Sequence, residues 1–221
     1  TKNFKGKTIF IPGNNEWKSY STKKIERVEE YLDDMDQDRL KFYPKNVCPV
    51  THEVINDKLD MIIIDSKWWI ANWSRINDIN KKCTNIVTRR RFMEELEGYI
   101  NDSQGKNLVI VMHHPIFSNG IYGGQETLKS HLSPLPILGT IRNSIMGLGG
   151  FSPERLNSIR YNYLRIAVSA LASASERITL VSGHEQSLQY LKGGNINQII
   201  SGSLTEHTAT NRSRGSINTI G

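Results

Sequence analysis

Several features that would settle a protein's class at once are missing from this chain. Among 221 residues there are only two cysteines, Cys48 and Cys83, and no C-x-x-C pair, which argues against a thiolate zinc site. No apolar run approaches the roughly 20 residues that a membrane-spanning helix needs. Internal repeats and low-complexity tracts are absent. Neither sign of charge dominates: 28 Lys and Arg against 22 Asp and Glu leave a formal charge of +6. Such a surplus permits an anionic partner without requiring one. Basic residues do not alternate with aromatic ones as a single-strand groove would require, so no specific nucleic-acid partner is expected. The chain begins with Thr1, and no basic-then-apolar leader precedes it, which reads as processing or truncation.

What is present is ordinary globular composition, 38% hydrophobic and 23% charged, at a length that favours one domain over residues 1–221. Four apolar runs are each about a strand long: Thr8-Ile9-Phe10-Ile11, Met61-Ile62-Ile63-Ile64, Leu108-Val109-Ile110-Val111-Met112 and Ile178-Thr179-Leu180-Val181. Continuous apolarity predicts strands buried on both faces. A fifth strand is expected at Gln198-Ile199-Ile200-Ser201, after a turn at Gly193-Gly194-Asn195.

Helical spacing links Ile25, Val28, Tyr31, Leu32 and Met35 after a cap at Ser21 or Thr22, and again Leu156, Ile159, Tyr163, Ile166, Ala167 and Ala170. A third helical pattern carries Phe92, Leu96, Tyr99 and Ile100 on one face, with Arg89, Arg90 and Arg91 expected to project into solvent. Strands interleaved with helices predict an α/β layered fold. The stretch 118–153 is rich in glycine and proline and reads as a long functional loop. Cys48 and Cys83 both lie in loop contexts; a disulfide between them is favoured over two free thiols and implies an oxidising compartment.

Three apolar runs end alike, with candidate ligands just beyond the strand. The first leads to Gly13-Asn14-Asn15-Glu16, the third to His113-His114-Pro115, and the fourth to Gly183-His184-Glu185-Gln186. In layered α/β folds, side chains from separate loops converge at the carboxyl ends of strands. Imidazoles with an amide oxygen suit zinc, manganese or iron.

These three segments resemble the last three motifs of the calcineurin-like metallophosphoesterases, which read Gly-Asn-His-Asp/Glu, a His shortly before Pro, and Gly-His-x-His. Phe10-Ile11-Pro12, Asp65-Ser66-Lys67-Trp68-Trp69, Phe117-Ser118-Asn119-Gly120 and Ser201-Gly202-Ser203 look like bacterial envelope members of that family. The resemblance implies a sandwich of two β-sheets flanked by helices, with amino-terminal strands missing from this chain. It implies hydrolysis of phosphate mono- or diesters by metal-bound hydroxide, using one or two divalent ions (Mn, Fe or Zn). It also implies an extracytoplasmic setting, the bacterial periplasm or outer-membrane surface.

Residue by residue, the resemblance assigns Asn14, His113 and His184 to the metal site. Gln186 stands where the family has a second metal-binding His, and Asn15 where it has the His near the leaving group. An amide cannot serve as a general acid near pH 7. The family's Asp-x-His and Gly-Asp-x-x-Asp motifs do not occur, so the bridging Asp is absent too. The expected activity is accordingly weakened or lost. The alternative is a non-catalytic module that supports a membrane-anchored or envelope partner protein. His114 is read as a residue that orients substrate or packs behind the site, and His131 as a substrate contact in the long loop. His52 and His207 read as surface, and Trp68, Trp69 and Trp73 as core packing or loop anchors.

Overall fold

In the computed structural model, the described residues are 5–18, 21–36, 38–120, 122, 153–154, 158–203, 210 and 216–218. They form a mixed α/β fold. Strands β1 (Thr8–Phe10) and β2 (Leu40–Phe42), separated by helix α1 (Lys23–Asp36), pair in parallel as a small two-stranded sheet. The hairpin of β3 (Val50–Asn56) and β4 (Leu59–Ile64) then leads into the short helix α2 (Ser66–Ile70). Helix α3 (Arg89–Asp102) precedes β5 (Asn107–Met112), and α4 (Ile159–Ala172) precedes β6 (Ile178–Ser182). The hairpin of β7 (Gln189–Gly193) and β8 (Ile196–Ile200), followed by β9 (Ser216–Asn218), completes the described strands. The seven-stranded sheet runs in the order β3-β4-β5-β6-β8-β7-β9, and β4, β5, β6 and β8 are mutually parallel.

All four apolar runs form strands, and the hairpin turn falls at Gly194, whose φ of +61° suits glycine. The first run lies in the small sheet and the other three in the large one. One detail differs from expectation: the large-sheet strands are covered unequally. Ile62, Ile64, Leu108, Ile110, Met112, Ile178 and Leu180 are fully buried in one core with Phe92, Leu96 and Ile100 of α3 and Tyr161, Leu164 and Val168 of α4. On the other face, Met61, Val109, Val111 and Val181 are half-buried, and Ile9 and Ile11 share with this face a cleft of about 540 Å³. Alternation is therefore real but hidden, because both faces carry apolar side chains.

The helix faces also need correction. In α4 the buried stripe is Tyr161, Leu164, Val168 and Ala172, whereas Ile159, Tyr163 and Ile166 are exposed. The helix is apolar nearly all round, so two stripes satisfy the same spacing and only tertiary packing chooses between them. In α1, Ile25 and Leu32 are buried, but Tyr31 and Met35 face solvent. Arg89 does not project into solvent as its neighbours do. Its guanidinium lies 4.0 Å from the Trp73 ring centroid and donates to the carbonyls of Trp69 (2.9 Å) and Ala71 (3.0 Å). His52 is not a partnerless surface residue either, since its Nε2 lies 3.0 Å from the buried Asp60 carboxylate. Trp68 and Trp69 are core residues as expected.

Cys48 and Cys83 form a disulfide across 35 positions, tying the loop before β3 to the segment before α3. This bond fits an oxidising, extracytoplasmic setting. Closing a loop of that length stabilises the fold by about 3–4 kcal/mol in the chain-entropy account. Reduction, or the double substitution of Cys48 and Cys83 by Ala, should lower the unfolding free energy by about that amount in urea titrations. A change below about 1 kcal/mol would show that the link restrains little of the unfolded chain.

Candidate metal centre

The centre is built outward from one buried carboxylate. Asp65 follows β4 and caps α2, its Oδ1 accepting from the Trp68 backbone N–H at 3.1 Å. Its Oδ2 accepts from Trp17 Nε1 at 3.0 Å. Trp17 ends the turn that holds Asn14, and Gly13 N–H donates to Glu16 Oε2 at 2.9 Å within that turn. Burial raises the Asp65 pKa to about 7, against the opposing pull of these two donors and the Lys67 charge. The Gly13-Asn14 turn is thereby anchored beside the carboxyl ends of β4 and β5.

Gly13 allows a close approach of the turn to His113. A Cβ there would lie 3.2 Å from Cε1 and Nδ1 of His113, the residue just past β5. On the far side, the Gly183 N–H donates to the His113 carbonyl at 3.1 Å and ties the end of β6 to that of β5. His184 and Gln186 then adopt left-handed backbone angles, φ +69° and +54°. Non-glycine residues enter that region at a cost of order 1–3 kcal/mol, a strain that gathers at functional sites.

These turns bring His113, His114 and His184 together, with ligand atoms all within 4.8 Å of one another. Ring centroids are 5.2 Å apart for His113 and His184 and 4.5 Å apart for His114 and His184. Desolvation lowers the His113 pKa to about 4 and that of His184 to about 3, with Lys67 adding to both shifts. Burial also puts His114 well below the ordinary imidazole value. All three rings are therefore neutral at pH 7, and each keeps one nitrogen lone pair.

Hydrogen bonds decide which lone pairs are free. His114 Nε2 lies 2.7 Å from Glu154 Oε2, and its Nδ1 lies 2.7 Å from Ser66 Oγ. The carboxylate can only accept, so the network assigns the proton to Nε2 and leaves Nδ1 accepting from the serine. Both nitrogens are engaged, so His114 supports the centre from behind. His184 Nε2 donates to the Glu154 carbonyl at 3.1 Å, which turns its Nδ1 lone pair toward Asn14 Nδ2, 3.2 Å away. Asn14 Oδ1 is buried and has no hydrogen-bond partner among the described residues. The ring nitrogens of His113 have no hydrogen bond to any described residue. His184 Nδ1 already accepts from Asn14, but this partner is a residue of the centre itself, and a cation would displace that amide N–H. The His114 nitrogens are instead tied to Ser66 and Glu154. With His113 and the orphaned amide oxygen, His184 completes a donor set that fits a borderline divalent cation.

The five residues read from the motifs, Asn14, Asn15, His113, His184 and Gln186, all line one cleft of about 620 Å³ together with Tyr122 and Lys18. The Tyr122 ring lies 4.0 Å from that of His184. His131 and His207 lie outside the described residues. The sequence reading passed over Ser66, Lys67 and Glu154 as functional positions. Lys67 pairs with Glu154, and burial lowers its pKa to about 8. The signal for Ser66 and Lys67 lay in the strand-end segment Asp65-Ser66-Lys67, whereas Glu154 has no sequence signal at all.

No protein-family model and no curated protein matches the chain. Among solved structures, one described as GAP50, the anchor in the inner membrane complex of Plasmodium, is similar with a TM-score of 0.43 and 14% identity. The match covers 76% of this chain and 41% of that one, so the chain spans less than half the length of that protein.

The pKa shifts fix the sign of an acid effect. An imidazole that stays neutral in the fold, while the unfolded chain takes a proton near pH 6.5, contributes stability that is complete above that pH. The contribution is lost as the pH falls toward about 4 for His113 and about 3 for His184. Chelator-treated protein should therefore lose more stability between pH 7 and 4 than the His113→Gln/His184→Gln variant. The expected difference is roughly 2 kcal/mol or more. Parallel curves would contradict buried neutral rings.

Proposed function

We propose that the chain is a metallophosphoesterase-type domain whose Asn14, His113 and His184 hold a divalent cation, Mn, Fe or Zn. The observation that carries this reading is the orphaned Asn14 Oδ1 beside two neutral imidazoles, His113 without a ring-nitrogen hydrogen bond to a described residue and His184 with its lone pair engaged only by the Asn14 amide. A cation bound there would make a water ligand nucleophilic near neutral pH and polarise a phosphoryl oxygen. The substrate would be a phosphate mono- or diester seated in the cleft of Asn14, His113 and His184. Lys18 supplies positive charge in its lining, and Lys67 lines the adjoining cleft. Asn15 and Gln186 can hydrogen-bond a leaving group or a phosphate oxygen, but neither can give up a proton as a family histidine would. Activity is accordingly weak. The two-sheet sandwich and the bacterial envelope belong to the same reading, and the disulfide supports the extracytoplasmic part of it.

The second reading is a non-catalytic module in an envelope assembly, favoured by Asn15 and Gln186 standing together at the two positions where proton transfer and a second metal would be served. Elemental analysis of protein purified without chelator should find one Mn, Fe or Zn per chain, and Asn14→Ala and His113→Ala should each abolish it. Asn15→His with Gln186→His should raise hydrolysis of bis(p-nitrophenyl) phosphate by about 100-fold or more. Metal retained without any such gain would favour the module. No metal in the parent protein would reject the centre.

A further inference from the structure

We propose that a second cleft beside the histidines binds the remaining phosphates of a phosphate chain whose end group enters the centre. The substrate class is then a di- or triphosphate ester or a free polyphosphate, and not an isolated monoester. The end-group placement rests on the phosphoesterase reading; the anion cleft does not.

This second cleft has a volume of about 630 Å³ and is lined by Lys18, Lys67, Arg75 and Arg160, with Glu154 as its one acid among the described residues. It shares Asn14 and Lys18 with the cleft of His113 and His184, so a ligand leaving the centre past Asn14 arrives among four cations. Glu154 neutralises one of them, Lys67, so the cleft keeps a surplus of positive charge. One of its carboxylate oxygens is held by Lys67 and the other by His114. Lys18 and Arg160 have no ion-pair partner among the described residues.

The charge of Arg160 is felt by its neighbour Arg89. Arg89 is brought down to about 10, by burial first and by the like charge of Arg160 second. Cations gathered against low-dielectric walls focus the field, and a bound polyanion would relieve their repulsion. The scaffold anchors the backbone of both arginines: Trp69 Nε1 donates to the Arg160 carbonyl at 2.9 Å, and Arg75 sits in a tight helical turn in which its N–H donates to the Asn72 carbonyl at 3.0 Å. Two guanidiniums and two ammoniums spread over a cleft of this size exceed what one phosphate or carboxylate can use. The planar guanidinium fork matches pairs of phosphate oxygens.

Chelator-treated protein should be titrated with inorganic tripolyphosphate and with orthophosphate by calorimetry at low salt. Tripolyphosphate should bind about tenfold or more tightly than orthophosphate, and Arg75→Glu and Arg160→Glu should each weaken it by about tenfold. Both arginines are exposed, and thermal melts report whether each variant is folded; Arg160→Gln, which keeps length without charge, replaces any that is not. Equal affinity for the two anions, or tripolyphosphate binding unchanged in these variants, would overturn the inference. The phosphoesterase reading fails separately: parent protein that takes up no metal, yet binds tripolyphosphate through Arg75 and Arg160, rejects that reading and keeps the anion cleft.

Discussion

The Asp65 carboxylate is the constraint on which the rest of the site depends. It sits buried at the end of β4 with one oxygen on the Trp17 indole and the other on the first turn of α2. The first bond fixes the turn that presents Asn14. The second starts the helix that presents Ser66 and Lys67, and Ser66 in turn holds His114. Loss of this carboxylate would leave a buried indole N–H and a helix start unpaired together, each costing about 1–3 kcal/mol. Its burial therefore organises two walls of one centre, at the energetic cost recorded in its raised pKa.

Three histidines meet at this centre, yet they do not play the same part. His114 is tied to Ser66 and Glu154, and His113 has no ring-nitrogen hydrogen bond to a described residue. The Nδ1 lone pair of His184 is engaged only by Asn14, whose own Oδ1 is orphaned among the described residues. Glu154 links the parts: its carboxylate meets His114 and Lys67, and its carbonyl accepts from His184. Partners of this kind, which fix the tautomer and orientation of metal-binding rings, are as much a part of a metal site as the ligands. The positive charge that surrounds the centre has the opposite effect on a cation, and favours sites where an anion arrives with the metal or after it.

Much of this was legible in the sequence, for identifiable reasons. Strand runs such as Met61–Ile64 and Leu108–Met112 are unmistakable because both faces of the strand are apolar, and the motif residues after them fall together because parallel strands end on one side of a sheet. Strand β3 escaped notice because it is an edge strand, Val-Thr-His-Glu-Val-Ile-Asn, with Val54 and Ile55 exposed and no apolar run to find. Helix α4 was found, but its buried face was not, since Tyr161–Leu164–Val168 and Ile159–Tyr163–Ile166 are equally apolar at equal spacing. Arg89 was misread because a cation stacked on two tryptophans looks, in sequence, like any other member of an arginine run. Glu154 could not be found at all, since its role arises only from tertiary contact with His114 and Lys67.

The central claim is that two histidines and Asn14 are left for a metal while the third histidine is locked. The most direct test is nitrogen NMR of the histidine rings in labelled protein during zinc titration. The account predicts that one ring nitrogen each of His113 and His184 shifts strongly as zinc is added, while His114 keeps its protonated Nε2 and moves little. Rings that do not respond to zinc, or His114 responding as strongly as the other two, would contradict it.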